Sequence, residues 1–191
     1  MKLKQLVLAL TASALTATAF AAVDTYNIDP RHTFPSFEAD HMGLSVWRGK
    51  YTRTSGTISV DRVAKTGSVD ILIDAASIDF GLEAMNAHAK KDDIFDVAKY
   101  PNVTYKSKSI TFTGDVPTSI QGELTLKGVT KPLTLSINKF KCIMHPNLKR
   151  EVCGADASAT FNRADFGVTK GLPAFSPEVK LAIQVEAIKA N

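Results

Sequence analysis

One stretch near the start of the chain, YNIDPRHTFPSFEADHMG at residues 26–43, has side chains that could do chemistry. It holds two histidines, His32 and His41, together with one tyrosine, two phenylalanines and a methionine. Imidazole side chains bind metal ions and move protons near neutral pH, so the segment could form a metal or catalytic site. The aromatic side chains are instead typical of the wall of an apolar pocket. The rest of the chain has to distinguish these two interpretations.

Metal binding and catalysis find little further support in the sequence. None of the four histidines belongs to an HExxH or HxH pattern. A metal site assembled in space from His32, His41 and His88 remains an alternative, because these residues lie in separate segments. No GxSxG sequence marks a nucleophilic serine. We therefore expect no catalytic residue, no metal and no cofactor, and keep an enzyme that uses His32 or His41 as the alternative.

The N-terminal segment, residues 1–21, predicts a secretory signal peptide. A basic start, MKLKQ, precedes the apolar run LVLALTASALTATAF, which is too short to span a bilayer comfortably. Ala19 and Ala21 then place small side chains where a signal peptidase reads them. We expect cleavage near Ala21, export to the periplasm, no stable membrane span, and one mature domain at residues 22–191.

The charge of the chain limits its expected partners, and its cysteine content indicates its compartment. Once Lys2 and Lys4 leave with the signal peptide, the 23 basic residues fall to 21 against 19 acidic ones, so nucleic acid is not an expected partner. Cys142 and Cys153 flank the ten residues IMHPNLKREV. In an exported protein this pair predicts a disulfide, which in the chain-entropy model is worth roughly 3 kcal/mol.

Period-two alternation of apolar and polar residues dominates the chain from its middle onward. It is clear in SVDILID (68–74), in LTLSI (133–137) and in EVKLAIQVEA (178–187), and it predicts antiparallel strands with one apolar face. Eight or nine such strands favour a sandwich or a closed barrel. The segment from Ile78 to Phe95 breaks the pattern and predicts a short helix, capped by Asp79, with Leu82, Met85 and Ala89 on one face.

The segment ADASATF, residues 155–161, bears most directly on function. Ala155, Ala157 and Ala159 share one face of a predicted strand with Phe161. If this face points into a barrel, its small side chains leave a dry apolar cavity. The alternative is that the alanines let a neighbouring helix or loop approach closely, and the spacing alone does not decide between the two.

Several motifs in order along the mature chain resemble the YceI-like family. They are the opening Tyr26-Asn27-Ile28-Asp29 with His32, Phe37 and His41-Met42-Gly43, then AHAKKDDIFDVAKYPNVTYKS (87–107), GELTLKGVTKPLTL (122–135), FNRADFGVT (161–169) and the closing EVKLAIQVEAI. The chain departs from the family pattern at Ala89, where a leucine is usual, and in the Cys142–Cys153 loop.

The resemblance implies an all-β fold, an eight-stranded antiparallel lipocalin-like barrel with one short helical insertion, in the periplasm. It implies as partner an amphiphilic long-chain lipid held inside the barrel, an isoprenoid quinone or polyprenyl precursor, with a fatty-acid or fatty-amide carrier of stress response as the alternative. A homodimer is left open. The predicted ligand-binding residues, of which His32 and His41 are expected near the head group, are Phe34, Phe37, His32, His41, Trp47, Phe95, Tyr105, Phe112, Leu124, Ala157, Phe161 and Phe166.

Overall fold

The computed structural model describes residues 23–191, so the predicted signal peptide lies outside the described residues. Within this range no helix is both long enough and apolar enough to cross a membrane. The described elements are strands β1 (Asp24–Ile28), β2 (Phe34–His41), β3 (Ser45–Tyr51), β4 (Thr54–Asp61), β5 (Thr66–Asp74), β6 (Ile78–Asp79), β7 (Asn102–Thr113), β8 (Val116–Leu126), β9 (Val129–Met144), β10 (Glu151–Asn162) and β11 (Glu178–Lys189), helix α1 (Glu83–Ala89), and two 3₁₀ turns, Ala75–Ser77 and Arg163–Phe166.

Eight of the strands close into a barrel. They follow the order β1-β4-β5-β7-β8-β9-β10-β11, and β11 then pairs with β1 to complete the ring. Every neighbouring pair is antiparallel. Register shifts in the β7–β8 and β9–β10 pairs mark bulges, which bend strands and help a sheet to close. The predicted eight-stranded antiparallel lipocalin-like barrel with one short helix is confirmed.

Strand β11 has two partners along the same edge. Its C-terminal part pairs with β1, while residues 179–184 pair with β2, from which β3 and β6 branch. Thr33 bridges the break between β1 and β2, because its hydroxyl donates to the carbonyl of Glu186 and accepts from its N–H, both at 3.1 Å. The N–H of Asp29 donates to the same carbonyl at 2.9 Å. The turn at residues 29–33 therefore satisfies the backbone of β11 where neither strand reaches it.

The apolar faces of the alternating strands point into the barrel. In β5, Val69, Ile71 and Ile73 line the interior, while Asp70 is outside and forms an ion pair with Lys106 across the sheet. Alternation in a strand sends successive side chains to opposite faces, so the same period-two pattern that predicts the strands also produces the apolar interior.

Helix α1 lies within the predicted segment, but two details of the prediction are wrong. Asp79 does not cap the helix: it accepts hydrogen bonds from the N–H of Gly81 and the side chain of Asn86. Leu82 holds the N-cap position without a side-chain cap bond, and its side chain is 62% exposed rather than packed. The left-handed Gly81 (φ +76°) turns the chain after Asp79, so the helix begins four residues beyond the expected cap. Ala89 is fully buried as expected.

Candidate ligand-binding cavity

The barrel interior contains a cavity of about 750 Å³ with an almost wholly apolar wall. Inward positions of β2 to β5 and β7 to β11 form the wall, and α1 together with residues 94–95 and 168–176 covers one end. The turns β4–β5, β7–β8 and β9–β10 lie at the other end, since consecutive connections of an antiparallel ring alternate between its ends. A volume of this size is within the range of small-molecule pockets.

Eight of the twelve predicted ligand-binding residues line this cavity. They come from five strands and from the segment after α1, and are Phe37, Trp47, Phe95, Tyr105, Phe112, Leu124, Ala157 and Phe161. Ala155 lines the cavity beside Ala157. The alanine face of β10 therefore points inward, and its small side chains leave space at the barrel axis.

Phe34 and Phe166 do not line the cavity. Phe34 lies three residues before the inward-facing Phe37 and so on the opposite face of β2, where the ammonium of Lys50 lies 4.9 Å from its ring centroid. Phe166 is buried at 2% exposure in the second 3₁₀ turn, and its ring packs edge-on against Phe161 at 5.3 Å. It supports a cavity residue without facing the cavity.

The two histidines that the sequence places near a head group have different surroundings. His32 does not line the cavity; its Nδ1 lies 2.9 Å from a carboxylate oxygen of Asp29. His41 also lies outside the lining, but its ring stacks on Trp47 at 4.2 Å and meets the edge of Phe175 at 4.9 Å. Both of these aromatic rings line the cavity, so His41 supports the wall at the end that α1 covers.

Sequence reasoning that favoured aromatic residues missed most of the aliphatic wall. These side chains belong to the same alternating runs that predict the strands, so period two was the signal that could have found them. They include Ile58, Val60, Val69, Ile71, Ile73, Val103, Ile110, Ile120, Leu126, Leu133, Leu135, Ile137, Val179, Leu181, Ile183 and Val185.

Three of the strand residues that line the cavity carry a hydroxyl. The Tyr105 hydroxyl lies 3.0 Å from the carbonyl oxygen of Ile120 and 2.9 Å from that of Leu133, and burial raises the pKa of Tyr105 to about 12. Gly122 makes room for this ring, because a Cβ there would lie 2.6 Å from the hydroxyl. Tyr51 and Thr54 also line the cavity, and burial raises the pKa of Tyr51 well above its usual range. Both phenols therefore stay protonated and can donate hydrogen bonds.

Charged groups reach the cavity only near its two ends. At the hairpin end, Arg62 lies on the lining and its guanidinium bonds Glu151 at 2.8 Å and the Tyr26 hydroxyl at 2.6 Å. At the end that α1 covers, Lys170 lies on the lining and forms an ion pair with Asp93 at 2.8 Å. The middle of the cavity is left to uncharged side chains.

The predicted disulfide between Cys142 and Cys153 is confirmed. The two residues lie directly opposite each other in the β9–β10 pair, with their Cα atoms 4.0 Å apart. Arg62 approaches both sulfur atoms, at 3.8 and 3.9 Å. The disulfide therefore lies beside the hairpin end of the cavity.

Possible metal ligands do not gather at the histidines. Within residues 23–191, the one group of three side chains close enough to share an ion is Cys142, Glu151 and Cys153. Its two sulfur atoms form the disulfide, so they offer no thiolate. Within the same residues, His32, His41 and His88 do not come close enough together to share an ion.

Comparison with known proteins agrees with the barrel geometry. The chain is 33% identical over 182 residues to "Protein YceI" of Salmonella arizonae, with 93% of this chain and 94% of that relative covered. A Campylobacter jejuni YCEI protein has a similar structure, with a TM-score of 0.65 at 25% identity, over 78% of this chain and 88% of that one.

Two more distant structures share the fold. One is BcnA of Burkholderia cenocepacia, with a TM-score of 0.64 at 21% identity over 80% of this chain and 95% of that one. The other is a polyisoprenoid binding domain from Saccharophagus degradans, with a TM-score of 0.65 at 16% identity over 86% and 98% of the two chains. The sequence-family model for the YceI-like domain matches residues 26–187 of this chain, nearly the whole barrel. The chain belongs to the YceI-like family.

Proposed function

We propose that this protein is an exported binding protein that holds one long-chain isoprenoid lipid, an isoprenoid quinone or a polyprenyl precursor, inside the barrel. The observation that carries the proposal is the cavity of about 750 Å³, with its continuous aliphatic and aromatic wall and its charged groups confined to the two ends. An amphiphile with a long apolar tail and a small head matches this distribution of surface.

The energetics of burial support a carrier without any reaction chemistry. Each methylene that leaves water contributes about 0.8 kcal/mol, so about ten buried methylenes contribute roughly 8 kcal/mol. That free energy corresponds to a micromolar Kd before the costs of association are subtracted. Binding of a longer isoprenoid chain therefore requires only a dry cavity, and the family and the fold favour a binding protein over an enzyme.

Two further observations support the assignment. The fold is shared with a protein described as a polyisoprenoid binding domain, which makes an isoprenoid a reasonable first cargo to test. Export is supported by the Cys142–Cys153 disulfide, because disulfides persist in oxidising compartments such as the periplasm, and by the signal peptide predicted at residues 1–21.

The test is native mass spectrometry of the protein purified from the periplasm of its own host, followed by solvent extraction of the bound material. An isoprenoid lipid at one molecule per chain is the expected result. A fatty acid or fatty amide at the same ratio would favour the alternative cargo. An empty barrel, or a metal ion in place of a lipid, would overturn the carrier function and return attention to His32 and His41.

A further inference from the structure

The β2–β3 hairpin exposes four large apolar side chains around its turn. Their exposed fractions are 52% for Met42, 80% for Leu44, 47% for Val46 and 36% for Trp47. All four lie within six consecutive residues, 42–47. Single apolar side chains are common on protein surfaces, but a contiguous exposed group is typical of an interaction site.

The hairpin tip, residues 41–47, projects beyond the barrel wall. β2 pairs with β11 only as far as Ala39, and β3 pairs with β6 only at Lys50 and Tyr51. Within the described part of the chain, the strand pairs beyond Ala39 therefore join β2 to β3 alone. The tip is attached to the rest of the fold at its base and is open to solvent above it.

The apolar side chains of the tip lie on both of its faces. Val46 and Trp47 are neighbours in β3, so they point to opposite faces of the hairpin, and both are exposed. A second copy or a protein partner that packs on one face leaves the other face in water. A bilayer surrounds an inserted tip and removes both faces from water, so this distribution favours a lipid surface as the partner.

The charges beside the tip define how far it can enter a bilayer. Residues 41–47 contain no Asp, Glu, Lys or Arg. Asp40, which precedes them, pairs with Val46 across the hairpin, and Arg48, which follows them, forms an ion pair with Glu38 at 2.7 Å. Charged groups are costly in hydrocarbon, so insertion ends near the level of Asp40. Trp47 then lies among the head groups, where tryptophan is enriched.

The backbone of the turn is already hydrogen-bonded. The N–H of Leu44 donates to the carbonyl of His41 at 3.0 Å, and the N–H of Gly43 donates to the Asp40 carboxylate at 2.9 Å. Backbone polar groups that enter lipid must be satisfied within the protein. The turn meets this requirement at the two N–H groups closest to its apex.

Trp47 connects the tip to the cavity. Its indole lines the cavity, stacks on His41 at 4.2 Å and lies 6.3 Å from the ring of Phe80, which directly precedes the turn into α1. His41 in turn meets the edge of Phe175 at 4.9 Å. These aromatic contacts fix the base of the tip at the end of the cavity that α1 covers.

We propose that the hairpin tip docks the protein on a lipid bilayer and thereby holds the α1-covered end of the cavity at the membrane surface. The docking surface itself rests on the exposed residues of the tip, whereas its use in loading the cavity rests on the proposed lipid-carrier function. Docking is peripheral and reversible, because only a few side chains enter the interface.

The test is flotation of the purified protein with phosphatidylcholine vesicles. We expect the unmodified protein to float with the vesicles, and Leu44→Ser to bind them about tenfold more weakly, since one leucine side chain is no longer transferred from water. Met42→Asn is a second variant that removes an apolar side chain, and asparagine tolerates the φ of 58° at this position. Val63→Ser is the matched control, because Val63 is 79% exposed in the β4–β5 turn at the opposite end and should not contribute.

Salt and a soluble probe identify the nature of the contact. Added salt should leave binding to these uncharged vesicles unchanged, because salt screens charges and not apolar contacts. Leu44→Ser should bind a soluble fluorescent fatty acid as tightly as the unmodified protein does. Ala157→Trp, which fills the cavity and leaves the tip intact, should lose the soluble probe and keep the vesicles.

The outcomes separate this inference from the carrier function. If the unmodified protein does not float, or if Leu44→Ser floats equally well, the docking surface is wrong, and binding of the soluble probe still supports the carrier. If the soluble probe does not bind while flotation depends on Leu44, the carrier function fails and the docking surface stands.

Two further results would overturn membrane docking by the tip. Loss of vesicle binding in folded Ala157→Trp would mean that the cavity itself draws the protein to lipid. A dimer of the unmodified protein that Leu44→Ser converts to a monomer in sedimentation velocity would assign the tip to a second copy of the chain.

Discussion

Nδ1 of His32 lies 2.9 Å from Oδ2 of Asp29. The other carboxylate oxygen of Asp29 accepts the backbone N–H of Arg31 at 3.0 Å. These bonds hold the turn between β1 and β2, where Thr33 bridges to β11. The first histidine of the opening segment thus stabilises the turn that lets two strands share one edge, and it takes no part in the cavity wall.

The first prediction concerns Asp29 and acid stability. Burial opposes ionisation of Asp29, but the hydrogen bonds from His32 and Arg31 outweigh it and lower the pKa to about 2. A carboxyl whose pKa falls on folding contributes its full stabilisation above about pH 4. This stabilisation is lost as the pH falls through about 2. We expect Asp29→Asn to lower the free energy of unfolding at pH 7 by about 2 kcal/mol, as measured by urea denaturation.

The control for this prediction is the pH profile itself. The difference between Asp29→Asn and the unmodified protein should shrink from pH 4 toward pH 2 as the native carboxylate becomes protonated. A difference that stays constant with pH would contradict the assignment.

His32→Gln should leave lipid affinity unchanged, and loss of lipid binding in a folded His32→Gln variant would restore this residue to the head-group site.

The second prediction concerns Ala157 at the cavity wall. Ala157 is 6% exposed and lines the cavity, so Ala157→Trp should fill space that the lipid requires and weaken binding by at least tenfold. Overpacking of this kind costs about 1–3 kcal/mol of stability, so circular dichroism must first establish that the variant is folded. Thr160→Trp is the matched control, since Thr160 is an exposed residue of the same strand. Undiminished binding by folded Ala157→Trp would rule out the cavity as the lipid site.

The third prediction uses Trp47 as a reporter. It is the single tryptophan of the chain, it lines the cavity, and it is 36% exposed. A lipid that enters the cavity displaces water from the indole, so its emission should shift to shorter wavelength and saturate at one ligand per chain. The Ala157→Trp variant is unsuitable for this titration because it contains a second indole. The double variant Trp47→Phe, Leu124→Trp has one indole, at position 124, and its emission reports on a deeper position in the cavity. Lipid binding detected by mass spectrometry without any change in Trp47 emission would place the ligand elsewhere.

The fourth prediction separates stability from binding at the disulfide. Replacement of both Cys142 and Cys153 by serine should lower the free energy of unfolding by about 3 kcal/mol, because the cross-link restricts the unfolded chain. Lipid affinity should change by less than about twofold, since neither cysteine lines the main cavity. Chemical denaturation with and without a reducing agent measures the first effect, and probe displacement measures the second. A large loss of affinity would instead assign the disulfide a role in shaping the cavity end beside Arg62.

The strands and their inward faces could be predicted because alternation is a local property. For example, the alternation that predicts β5 is formed by Val69, Ile71 and Ile73, and the same three residues line the cavity. Phe34 shows the limit of selecting by residue type. It and Phe37 are three residues apart, so in one strand they cannot share a face, and only Phe37 lines the cavity.

Features that depend on the packing of distant segments could not be predicted from the sequence. Asp79 has a residue type suited to a helix cap, yet Gly81 turns the chain before the helix begins. Thr54 has a buried hydroxyl without a hydrogen-bond partner among residues 23–191, and this is likewise invisible in the sequence, because threonine is common in strands and the isolation of its hydroxyl depends on what surrounds it. Such a property appears only when the neighbouring strands are in place.

Ring closure by β1 and β11 also has a consequence for how the protein reaches its folded state. Tyr26 pairs with Lys189 and Asn27 with Ile188, the widest sequence separations among the described strand pairs. Contacts of such high order slow folding, because most of the chain must be ordered before they form. In the proposed export, in which the chain emerges N-terminus first, the edge of β1 stays unpaired until the last strand emerges, and an unpaired strand edge is prone to aggregation.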